Sequence, residues 1–155
     1  MTTHSYAAVV TWTGNRGTGT SGHRDYGRDH DVTAVGPAPI AGSADPAFRG
    51  DPARWNPEQL LVASLAQCHM LTYLHLCTIA GVAVTRYVDR ARATMLAWSD
   101  GGRFEEVVLA PTVTVADPAM AQRAASLHDD AHRACFVANS VNFTVRHEPT
   151  VAVEL

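Results

Sequence analysis

A chain of 155 residues is long enough for one compact domain with a sizeable core, and 46% apolar with 17% charged residues describes a soluble globular protein with a slightly sparse charged surface. A formal net charge of −3 without any basic cluster argues against nucleic acid or an anionic membrane as partner. Three cysteines are too few for a secreted disulfide framework, and the start MTTHSYAAVVTW lacks the charged segment and apolar core of a signal peptide, so a cytoplasmic protein is expected.

Residues 6–12 alternate loosely and predict a first strand, followed by a glycine-rich turn from Gly14 to Gly22 and a second extended stretch around Tyr26–Val35. Residues 36–56 are rich in Gly and Pro and show no periodicity, which predicts a loop. Unstructured connections of that length in a small domain tend to be functional.

The helix that follows carries the clearest signals. Asn56 suits the N-cap, Pro57 the first helical position, and Gln59 completes a capping-box pattern. The run Leu60–Ala80 has no breaker until Gly81, a suitable residue just past the C-terminus. Apolar residues fall on nearly every face, so the helix is predicted to be buried all round. Its length of about 36 Å exceeds the diameter of a small domain. A dimer that packs two such helices centrally would cover it. A membrane span is the competing reading of twenty apolar residues, but Gln67, His69 and His75 interrupt this run and no aromatic or basic flanks mark an interface.

Val84–Trp98 and Arg103–Val115 predict two strands joined by Ser99-Asp100-Gly101-Gly102. Asp117-Pro118 opens a second helix running to about Ala134, and Asn139–Glu154 predicts a closing strand bent at Pro149. The fold class is α+β, in a single domain spanning residues 1–155.

Cys68 lies midway along the long helix, where a buried cysteine is ordinarily a small hydrophobe whose thiol pKa burial raises. A reactive Cys68 therefore needs a cation brought to it, from Arg49 or Arg54 in the loop before the helix or from the Tyr26–His30 segment that contains Arg28. Glu58 is ten residues, or about 15 Å, from Cys68 along one helix, so the two can share a site only if Glu58 comes from an antiparallel partner helix. By itself Glu58 simply favours the helix N-terminus electrostatically. Cys77 is about 180° around the helix from Cys68 and is expected in the core. Cys135 follows the second helix, where local mobility suits a thiol that must move, although an inert buried cysteine fits equally. His128, His132 and Cys135 share one helical face; a zinc site there is weighed against solvated helix histidines, because the outer two residues are about 10 Å apart.

The run NPEQLLVASLAQC, the second cysteine 67 residues later and the order of elements together resemble the OsmC/Ohr family, the osmotically induced and organic hydroperoxide resistance proteins, from about Tyr6 to Val153. CHMLTYLHLC is similar to an OsmC-like branch apart from the best-known members. The resemblance implies an intertwined homodimer with antiparallel sheets wrapped around two long central helices and sites at the interface. It implies a peroxidatic cysteine matched by Cys68, a resolving cysteine matched by Cys135, a glutamate matched by Glu58, and an activating arginine matched by Arg49 or Arg28. It further implies reduction of organic hydroperoxides through a Cys68 sulfenic acid and a Cys68–Cys135 disulfide, regenerated by a dithiol such as a lipoyl protein, with no cofactor and no metal. CFVAN departs from the Cys-Pro start of well-known members. A non-catalytic member of the fold that binds an apolar ligand at the dimer interface is the alternative.

Overall fold

The structure is a computed structural model and describes residues 1–154. The chain forms two compact units, residues 1–60 and 61–155, with one long helix beginning in the first and continuing through the second.

The first unit is a three-stranded antiparallel sheet in the order β1 (Val9–Trp12), β2 (His30–Thr33), β3 (Ile40–Gly42). The segment 36–56 is therefore not a plain loop. Ile40, Ala41 and Gly42 pair with Val32, Asp31 and His30, and a strand of three residues is too short to show alternation in the sequence. Beyond it, Asp45 Oδ1 accepts from the Ala47 amide at 2.7 Å and caps a 3-10 turn at Pro46–Phe48.

The long helix α1 (Pro57–Ile79) starts and stops where the sequence predicts. The Gln59 amide donates to Asn56 Oδ1 at 2.8 Å, and the Asn56 amide donates to Gln59 Oε1 at 3.1 Å, closing a reciprocal capping box. At the other end Gly81 takes φ +70°, its amide donates to Thr78 O, and the Val82 amide reaches back to Cys77 O at 2.9 Å. This is a Schellman ending, which satisfies carbonyls the helix would leave unpaired.

The second unit holds two mixed three-stranded sheets. One is ordered β4 (Val84–Asp89), β7 (Pro111–Val115), β9 (Thr150–Val153); the other β5 (Arg92–Trp98), β6 (Gly101–Leu109), β8 (Thr144–His147). The expected hairpin thus breaks into four strands. At the break the Ala110 amide leaves the ladder and donates to Asp89 Oδ1 at 2.8 Å, and Pro111 has no amide to contribute. The closing strand is likewise two strands, separated at Glu148-Pro149. β8 and β9 run parallel to β6 and β7, so the sheets here are not purely antiparallel. The crossover that parallel pairing requires contains helix α2 (Ala121–Ala134), entered through a 3-10 turn that Asp117 caps.

Only one stripe of α1 is buried in the chain: Leu65, His69, Tyr73 and Cys77, at a spacing of four. Tyr73 and Cys77 join Val113, Val115, Ala124, Leu127 and Ala131 in one core cluster. Leu65 packs with Val107 and Leu109 in another. Burial on every face is not what the chain achieves, since Leu71 is 61% and Ile79 69% exposed. α2 and the sheets cover one side of the helix, and its apolar remainder faces outward.

Candidate functional site

Cys68 is half-buried on α1, and Cys135 is buried at the C-cap of α2, where the backbone turns extended (φ −70°, ψ 113°). The Cys135 amide still reaches His132 O, and its own carbonyl accepts from the Asn139 amide at 3.0 Å, so the residue is held between the helix and the 3-10 turn at Ala138–Ser140. The Cys135 thiol has Cys68 as a neighbouring titratable group. Burial first, and then the neighbouring Cys68, push the Cys135 thiol up to about 11, so it keeps its proton at neutral pH. Cys77 is also pushed up by burial. It sits in the core stripe, away from the pair.

The other residues singled out by sequence lie in the first unit. Arg28 donates to His23 O at 2.9 Å and Tyr26 O at 2.7 Å, and its guanidinium lies 4.0 Å from the centroid of the Tyr26 ring. Arg54 is paired with Asp29 and Asp31 and donates to His30 O. Arg49 is exposed in a left-handed conformation (φ 67°) and forms no ion pair among the described residues. Glu58 is in the first turn of α1, with Oε2 buried and without a hydrogen-bond partner. A buried, unpartnered carboxylate oxygen is costly.

The Leu65 cluster is centred about one turn before Cys68 on α1 and includes Val137 and Ala138, two and three residues after Cys135. Val62, Ala66, Phe104, Val137, Ala138 and Phe143 all pack against it. Phe104 and Phe143, with ring centroids 5.2 Å apart, also line a cleft of about 290 Å³ shared with Arg103, Glu105, Asn142 and Thr144.

Next to Cys68 the structure holds a feature that the sequence reading did not identify. His69 and His128 are fully buried, and His69 Nε2 lies 3.0 Å from His128 Nδ1. The two imidazole planes are parallel to within 6°, and the Tyr73 ring stacks on His128 at 3.9 Å between centroids. Burial lowers the His69 pKa to about 4 and that of His128 to about 3, with neighbouring histidines adding to the shift. His147, centred 5.7 Å from His69 and 5.1 Å from His132, bonds Asp129 Oδ1 through Nε2 at 2.8 Å. His128 is therefore not a solvated helix histidine, and among the described residues no group of three or more His, Cys, Asp or Glu has the geometry to hold a metal ion. The signal that was available is the spacing. His69 falls on the stripe Leu65, Tyr73, Cys77, although in the apolar run it looks like an interruption.

The model of the OsmC-like protein family matches residues 50–150. An OsmC-like protein of unknown function from Vibrio cholerae O1 biovar eltor is 31% identical with a TM-score of 0.84, covering 96% of this chain and 100% of that one. An organic hydroperoxide resistance protein from Elizabethkingia anophelis is 18% identical with a TM-score of 0.68, covering 99% of both chains. Another from Legionella pneumophila is 18% identical with a TM-score of 0.69, covering 98% of this chain and 99% of that one. None of the curated proteins matches. With the family model spanning about two thirds of the sequence, the chain belongs to the OsmC-like protein family.

Proposed function

We propose that the protein is a thiol peroxidase that reduces organic hydroperoxides to alcohols. The observation that carries this reading is that the fold makes Cys135, at the C-cap of α2, a neighbour of Cys68 on α1, 67 residues earlier in the chain. Cys135, buried and held protonated, suits a resolving thiol, and half-buried Cys68 is the one that substrate reaches.

The Cys68 thiolate attacks the distal peroxide oxygen, and the O–O bond breaks with its electron pair leaving on the alkoxide, which takes a proton to become the alcohol. Cys68 is oxidised to the sulfenic acid. Cys135 then attacks that sulfur; the S–O bond breaks, the S–S bond forms, and the Cys135 proton leaves with the hydroxyl as water. A dithiol reductant, such as a lipoyl group, returns both thiols by exchange. The Leu65 cluster with Phe104 and Phe143 favours an alkyl or lipid hydroperoxide over hydrogen peroxide, because it withdraws an apolar tail from water. Neighbours of the same fold bear the name organic hydroperoxide resistance protein, which supports an organic hydroperoxide as substrate.

The site in this reading is completed by a homodimer. The outward apolar residues Leu71 and Ile79 of α1 leave apolar area for a partner to bury, and the first unit by itself exposes Val9, Val10, Trp12 and Trp55. Glu58, whose buried Oε2 has no partner, acts on the Cys68 of the other protomer, and Arg49 is the activating cation, since Arg28 and Arg54 are committed locally. The reaction takes place in the cytoplasm.

Cumene hydroperoxide consumption with a dithiol, compared for wild type, Cys68→Ser and Cys135→Ser, tests the reading. Cys68→Ser is expected to be inactive and Cys135→Ser to stall as a trappable sulfenic acid. Full activity in Cys68→Ser would overturn it.

A further inference from the structure

Cys68 and His69 are consecutive on α1, and His128 precedes Cys135 by seven residues, two turns back along the same face of α2. The hydrogen bond between His69 and His128 therefore ties together the two helices that carry the thiols, one residue from the first thiol and two turns from the second. The apolar contacts of the stripe are non-directional and tolerate rotation of α1 about its axis. A bond between two single ring nitrogens at 3.0 Å does not. With side chains about 5–6 Å from the helix axis, a rotation of about 10° displaces the Cys68 sulfur by about 1 Å. Tyr73 adds a second directional contact, its hydroxyl donating to Ala124 O at 3.0 Å, but one turn further from Cys68.

Stability alone does not account for the imidazole pair. His69 Nδ1 and His128 Nε2 are both buried without partners, and an apolar pair of similar volume would avoid that cost. The pair supplies direction at the expense of unsatisfied nitrogens.

We propose that His69 and His128 are positioning residues that set the rotation of α1 against α2 and so hold the Cys68 and Cys135 sulfurs in register for disulfide formation. The inference rests on the thiol-pair reading above and adds the device that aligns the pair.

The test follows Cys68–Cys135 disulfide formation driven by diamide, read by peptide mass mapping. Diamide takes two electrons and two protons from the thiols onto its azo bond as the S–S bond forms. The double variant His69→Leu/His128→Leu keeps the volume and removes the bond. The double variant His69→Gln/His128→Asn places amide groups where His69 Nε2 and His128 Nδ1 stand. The leucine pair is expected to melt at or above the wild-type temperature yet form the disulfide about tenfold more slowly or worse, with the amide pair within about threefold of wild type. Wild-type rates in the leucine pair, or an amide pair as slow as the leucine pair, would overturn the proposal. If the leucine pair does not fold, His128→Asn against His128→Ser makes the same comparison, since serine is too short to reach His69. Diamide needs no peroxidase activity, so a wild type inert towards hydroperoxides would refute the function proposed above while this comparison still decides the role of the histidines.

Discussion

His69 Nε2 and His128 Nδ1 share one hydrogen bond at 3.0 Å between fully buried rings whose planes are parallel to within 6°. One proton serves that bond, so both imidazoles are neutral in the folded state, one donating and the other accepting. Protonating both would put two unsolvated cations side by side.

Acid should therefore destabilise the fold well before ordinary carboxylates titrate. Both folded pKa values, about 4 and about 3, lie below the unfolded value of 6.5. Between these limits the unfolded chain binds more protons, so stability is complete above about pH 6.5 and is lost as pH falls towards 4. The slope is about 1.4 kcal/mol per pH unit for each imidazole. Melting temperatures measured from pH 7.5 to 5 should fall for the wild type and fall much less for His69→Leu/His128→Leu.

Alkylation should separate the three cysteines. Cys135 and Cys77 are buried and held protonated by their surroundings, whereas Cys68 is half-buried. Iodoacetamide at pH 7.5 should modify Cys68 in the native protein, with the other two at least about tenfold slower until urea is added. Mass mapping that finds Cys135 labelled first would contradict the assignment of roles.

Leu65→Ala removes a fully buried side chain packed on Val107 and Leu109. The cavity should cost about 2–5 kcal/mol, measured by urea denaturation. The same variant should weaken selectivity for bulky hydroperoxides, because the cluster beside Cys68 loses one of its walls.

The two ends of α1 can be tested independently. Asn56→Ala removes the acceptor for the Gln59 amide and should cost about 1 kcal/mol. Gly81→Ala meets no atom within 4 Å, so its expected cost of about 1–2 kcal/mol comes only from holding an L-residue at φ +70°. The losses should add in the double variant, since the sites are more than 30 Å apart along the helix by its rise per residue.

Much of the fold was legible locally. Asn56, Pro57 and Gln59 start α1, Gly81 stops it, Asp117 caps the entry to α2, and Cys77 is fully buried while Cys68, about 180° around the helix, is only half-buried. Each of these depends on groups within a few residues of one another. The division of the hairpin at Ala110, the short strand Ile40–Gly42 and the parallel course of β8 and β9 were not legible, because each depends on partners far away in sequence.

The site divides the same way. Residue types and spacing raised Cys68, Cys135 and Glu58, with Arg49, Arg54 and Arg28 as possible cations, but left each open to an inert reading; the resemblance to the OsmC/Ohr family supplied the roles and narrowed the arginines to Arg49 and Arg28. Only the tertiary structure made the Cys68 and Cys135 thiols neighbours, left Arg49 without an ion pair among the described residues while engaging Arg28, and turned two apparently unrelated histidines into a buried pair. Whether an imidazole is solvated, ligating or buried depends on what packs against it, and for His69 that is a ring 59 residues further along the chain.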